Sequence, residues 1–337
     1  MLWNFTMEKK ELKDNTNEQL IQSLNNRNLR KVEFNNFFHL NEKSLFSEHY
    51  NFICTNIIQN NLTNNLYLSL KQNSTGEGYI LDKTNNIYIK AHFQLISKIL
   101  IDYNHNYLIS CSYDKFIKFW DISKLKIENI FQLKGHKGRI YDIELIENKN
   151  KLISCGMEKS IYIWDLEKFI LFNKIEILSS FHNRLIKYLI SIENIYKNNI
   201  NEILCIYSKK GVLNILDINK NEIIENIYFS NEGPLLFVNN KELIYQNGKE
   251  NNIIIYNFID KKIQYELNES NIILFFYKVD KLNKFISFDK GNNIKIWNYI
   301  KKFCELCIKI DFVLNCLFFD NEGILYCGSF NKTLIYN

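Results

Sequence analysis

The 337-residue chain has one proline, 11 glycines and only four arginines: Arg27, Arg30, Arg139 and Arg184. So little proline and glycine, beside 46% hydrophobic and 15% aromatic residues, excludes disorder throughout and leaves little of the chain as flexible linker. So little arginine leaves few planar forks for phosphates or base edges, and no long lysine run replaces them. The net charge of +5 is therefore spread over the chain, and nucleic acid is not expected as a partner except through a complex. No apolar run approaches the roughly 20 residues of a membrane helix, and the start turns polar too soon for a secretory signal. The expectation is an intracellular protein, cytoplasmic or nuclear, with no membrane insertion.

Familiar catalytic patterns are missing too. There is no Gly-x-Ser-x-Gly, no Gly-x-Gly-x-x-Gly and no P-loop, and the recurring carboxylates Asp121, Asp165 and Asp217 sit at strand ends. His39, His92, His136 and His182 are separated by 53, 44 and 46 residues, about one repeat each. That spacing puts them too far apart to share one zinc ion at bond lengths of about 2 Å. Eight cysteines lack the dense spacing of a disulfide framework. Cys304 and Cys307 form a CxxC, but the segment alternates like a strand, on which residues three apart point to opposite faces. Cys111, Cys155 and Cys327 fall at one place in their repeats and read as small core residues. No catalytic residue, cofactor or metal is expected.

Asparagine is abundant instead: 50 residues, many in pairs such as Asn85-Asn86 and Asn292-Asn293. It tolerates left-handed backbone and can make the turns that glycine makes elsewhere. A short segment ending in Asp or Asn recurs seven times, closing at Asp82, Asp121, Asp165, Asp217, Asn257, Asn298 and Asn337, with separations of 39, 44, 52, 40, 41 and 39 residues. Ahead of each lies another alternating segment, as in Tyr107-Leu-Ile-Ser-Cys-Ser112, so each unit holds about four short strands. A four-stranded meander cannot bury both its faces alone. Stacking such units around an axis gives a continuous core, and lets one domain reach this length.

In the second and third units, His92 lies 29 residues before Asp121 and His136 lies 29 before Asp165. Between them fall Ser110 and Ser154, Asp114 and Glu158, and Trp120 and Trp164. These residues resemble the His–Ser–Asp–Trp hydrogen-bond set of the WD40-repeat beta-propeller family, with Glu158 in place of the usual aspartate. The first unit keeps His39 and Asp82 with Leu81 for tryptophan, the fourth keeps His182 and Asp217 with Leu216, and the last three lack the histidine. The resemblance implies an all-β, seven-bladed WD40-type beta-propeller over residues 31–337.

The recurring segment that ends at Asn337 needs an outer strand from elsewhere, and family members take it from the N-terminal side. Residues 31–37 are the first candidate and residues 1–7 the second. Residues 8–30 read as a polar helix with a narrow apolar stripe that includes Leu20 and Leu24, giving the propeller a short N-terminal helical extension, residues 1–30. The stripe docks either on the propeller or on a partner. The function expected is a non-catalytic scaffold or complex subunit that binds proteins or peptides through loops and rim. Arg139 and Arg184 are candidate contacts, because arginine is favoured at interface hot spots, although each could instead pair within its own blade. The competing classes are a propeller enzyme with its site in the central channel and a nucleic-acid-associated propeller.

Overall fold

The computed structural model describes Leu2 and Trp3 and, with short interruptions, residues 52–336. Every regular element among them is a β-strand. The strands form seven four-stranded sheets: residues 52–92, 96–133, 140–176, 186–228, 235–267, 273–309, and 314–336 together with Leu2–Trp3. They are numbered first to seventh below. Side chains are described throughout five of the sheets and in part in the fourth and seventh.

Apart from the Leu2–Trp3 strand of the seventh, each sheet is an antiparallel meander, and its opening strand contacts the opening strand of a neighbour, as the first sheet does with the second and the seventh. Ile, Leu, Phe and Tyr give the middle strands of the sheets two buried faces, as in Tyr107–Ser112 and Lys151–Gly156. Sheet-on-sheet clusters then form the core, such as Ile109, Phe119, Ile143, Leu152 and Trp164 between the second and third sheets. Outer strands face water: the third sheet exposes Ile170, Leu171 and Phe172.

Asparagine makes the turns. Eleven non-glycine residues have positive φ among the described residues, and seven are asparagines: Asn64, Asn86, Asn106, Asn150, Asn251, Asn283 and Asn292. The short amide side chain lowers the cost of this left-handed backbone, which explains how the chain manages with 11 glycines. The recurring terminal Asp or Asn has a local role as well. Asp82, Asp165, Asp217, Asn257 and Asn298 each accept a backbone N–H from the turn that follows, as Asp121 does from Ser123.

The expected fold class needs correction at its helical extension. No helix occurs among the described residues, and the chain's beginning enters the ring as a strand. Leu2 and Trp3 pair in parallel with Leu334 and Ile335, filling the outer position of the seventh sheet. Edge N–H and C=O groups of residues 333–336 would otherwise lie open on that side, and two apolar residues are enough to cover part of it. The helix expected over 8–30, with Leu20 and Leu24, the segment 31–37, and His39 lie outside the described residues.

Candidate interaction face

The meander fixes which loops meet. Turns between the second and third strands, and the connections from one sheet to the next, share one edge of the ring; the other turns share the opposite edge. On the first edge, His92 ends the first sheet just before the opening strand of the second, and His136 stands just before the opening strand of the third.

His92 Nδ1 lies 2.9 Å from Asp114 Oδ2, and its Nε2 lies 2.8 Å from Ser110 Oγ, which also accepts the Trp120 indole N–H at 2.9 Å. Because Ser110 Oγ accepts from tryptophan, its own proton can go to Nε2, and Nδ1–H then donates to the carboxylate. This one-way chain uses neutral histidine and satisfies each buried polar atom. The third sheet repeats it: His136 Nδ1 to Glu158 at 2.9 Å, Nε2 to Ser154 Oγ at 2.7 Å, and Trp164 Nε1 to Ser154 Oγ at 2.8 Å. Glutamate's longer arm also reaches the Gly138 backbone N–H, so the chain ties down the loop ahead of the sheet. Tyr162 lies over the His136 ring with centroids 4.0 Å apart.

Burial lowers the pKa of both His92 and His136, and the carboxylates raise it only in part. Asp114 is pushed up by burial, but the His92 bond and charge, with the Phe116 and Phe93 N–H groups, bring it below its usual value. The sign follows from linkage. Above the unfolded histidine pKa of about 6.5 both states are neutral, and below it the unfolded chain binds more protons, so stability falls with falling pH. The thermal midpoint is expected to drop between about pH 7 and about pH 5, and the drop should flatten in the double variant His92→Gln, His136→Gln. Equal slopes in differential scanning fluorimetry would remove histidine as the cause.

The sixth sheet holds a set that the sequence reading missed. Trp297 Nε1 donates to Ser287 Oγ at 2.8 Å, but Glu269 stands where the histidine would be: Ser287 follows it by 18 residues and Trp297 by 28, as Ser110 and Trp120 follow His92. Both Glu269 oxygens take the Lys295 ammonium, at 2.6 and 2.7 Å, and Asp289 lies 3.6 Å from it. Burial alone would lower the Lys295 pKa, but the bond and charge of Glu269 outweigh it, so the value is raised and the ammonium is kept. An ion pair here does the tying that imidazole does elsewhere. The signal was the 18 and 28 spacing, hidden because the residue at its head is acidic.

These supports carry loops with exposed side chains. Phe93 is 70% and Met157 58% exposed, and the Phe93 N–H is held by Asp114. Arg139 is exposed, with its guanidinium carbon 5.2 Å from the Tyr113 ring centre. Tyr113 in turn sets its edge against Tyr141 at 5.5 Å. The Met157 N–H donates to the Arg139 carbonyl, and the Tyr113 N–H to that of Leu95, so the four loops are braced together. Arg184 lies outside the described residues, as does His182.

The cysteines are placed differently from the strand argument. A bulge at Glu305 sets Cys304 opposite Trp297 and Cys307 opposite Lys295, which puts both on one face of the sheet. Burial pushes the Cys304 thiol up to about 12 and raises Cys307, so neither is a ready thiolate. Cys111, Cys155 and Cys327 are fully buried. No cluster of three or more His, Cys, Asp or Glu that could hold a metal occurs among the described residues, and no described helix is long and apolar enough to cross a membrane.

Residues 84–121 and 127–165 match the family model for the WD domain, G-beta repeat. These are the second and third units, the two with complete histidine sets. No curated protein matches the chain.

Proposed function

As the chain is a divergent member of the WD40 family, whose domains typically mediate protein–protein interactions, we propose that it is a non-catalytic scaffold subunit working inside the cell. Its partners are proteins or peptides, held on the edge formed by the loops around residues 93, 113, 139 and 157. The observation that carries this reading is the arginine–tyrosine pair between Arg139 and Tyr113, flanked by exposed Phe93 and Met157 and supported from below by the two buried histidine sets. Arginine, tyrosine and tryptophan are the residues enriched among hot spots. Groups already braced lose little conformational freedom on binding. The cation favours a partner segment that brings a carboxylate or an aromatic ring.

The test is a quantitative co-purification from native cells. The triple variant Phe93→Ala, Arg139→Ala, Met157→Ala should keep the wild-type melting midpoint and lose at least tenfold in recovery of stoichiometric partners, which corresponds to about 1.4 kcal/mol. Unchanged recovery would exclude this edge as the docking site.

A further inference from the structure

Six of the seven opening strands carry a bulge, all but that of the fifth sheet, and at three of them the residue just past it reaches toward the next sheet. The pairing shifts between Cys54 and Asn56 in the first sheet, Ile96 and Lys98 in the second, and Leu314 and Cys316 in the seventh. Asn56 Nδ2 donates to the Ser97 carbonyl at 2.9 Å, joining the first sheet to the second. Lys98 Nζ meets Asp142 at 2.7 Å and Glu144 at 3.3 Å, joining the second to the third. At the seam between the seventh and first sheets the same position holds Cys316. Its Sγ lies 3.6 Å from Cys54 Sγ and 3.7 Å from the Cys54 carbonyl oxygen.

Gly328 makes room for the two sulfurs. A Cβ at that position would collide with Cys316 Sγ and stand 2.9 Å from Cys54 Cβ. Both cysteines are free thiols, Cys54 fully buried and Cys316 partly covered. This is also the seam where the last sheet takes its outer strand from the other end of the chain, through the two residue pairs Leu2–Leu334 and Trp3–Ile335.

We infer that Cys54 and Cys316 form a modification site, a dithiol that a peroxide oxidises to a disulfide and so clasps the ring covalently at its closing seam. Cys316, the less buried residue of the two, attacks one oxygen of hydrogen peroxide as its thiolate. The O–O bond breaks, a sulfenic acid forms, and the hydroxide released takes up a proton to become water. Cys54 then attacks the Cys316 sulfur; the S–S bond forms, and the hydroxyl leaves with the Cys54 proton as a second water. Two thiols and one peroxide thus become one disulfide and two waters, with two electrons passing from sulfur to oxygen. The resting Cys316 thiol is slow: its hydrogen bond to Cys54, with burial, holds its pKa well above the usual thiol range, so reaction waits on opening of the seam. A cross-link 262 residues apart in sequence then restricts the unfolded chain strongly.

The experiment treats the full chain with hydrogen peroxide or dithiothreitol, blocks remaining thiols, and maps cysteine-containing peptides by mass spectrometry without reduction, with thermal melting in parallel. The expected result is a Cys54–Cys316 linked peptide that dithiothreitol removes, and a melting midpoint several degrees above that of the reduced protein. The linked peptide should be absent from Cys316→Ser and present in Cys327→Ser, which removes the nearby third thiol and keeps the proposal testable if the first variant does not fold. Oxidation of Cys316 to its sulfinic or sulfonic acid without a link, a link to Cys327 instead, or a linked protein that melts no higher than the reduced one would overturn the inference.

Discussion

Replacing Lys295 by methionine is expected to cost roughly 3–5 kcal/mol of stability, measured by urea denaturation, because it leaves a buried carboxylate without its cation. Glu269 has a side chain with no exposure and gives both oxygens to Lys295, with the Ser270 and Asn271 N–H groups as its other donors. Those two amides cannot replace a full charge in a low-dielectric site. Adding Glu269→Gln to Lys295→Met should recover part of the loss, since the uncompensated charge is gone. A single-variant cost below about 1 kcal/mol would mean that water reaches the pair and screens it, as at exposed pairs.

Ser154→Ala is the second large effect. One hydroxyl serves two buried partners, the His136 imidazole and the Trp164 indole. Its removal creates almost no cavity but leaves both groups unpaired, at roughly 1–3 kcal/mol for each. Ser287→Ala in the sixth sheet is the internal control, because the partner described there is the Trp297 indole alone. The ratio of the two costs in matched chemical denaturation should therefore be near two. Equal costs would show that the His136–Ser154 contact contributes little, and that the imidazole is held by Glu158 and Tyr162.

What the sequence could show follows from how directly a residue's type reports its neighbours. Period-two alternation and a 40-residue recurrence are properties of strands themselves, so segments such as Tyr107–Ser112 and Lys151–Gly156 reveal their class without any partner. The family resemblance rests on His92 and His136, whose type is unusual at a strand entry. Glu269 and Lys295 escaped because each alone looks like an ordinary surface charge; only the fold puts them within 2.6 Å of each other. The faces of Cys304 and Cys307 were misread because simple alternation ignores the bulge at Glu305. The strand in the outer position of the seventh sheet is only Leu2–Trp3, paired with Leu334 and Ile335. Such a short strand has almost no periodicity to read.

We propose that protein is bound through one edge, the edge braced by the histidine sets. Site-specific photocrosslinking in native cells tests it most directly, with a photoreactive amino acid placed at Met157 on that edge or at Leu62 or Ile300 on the opposite one, all of them well exposed. A discrete cross-linked protein is expected from position 157 and none from 62 or 300. Cross-links arising from 62 or 300 with nothing from 157 would contradict it.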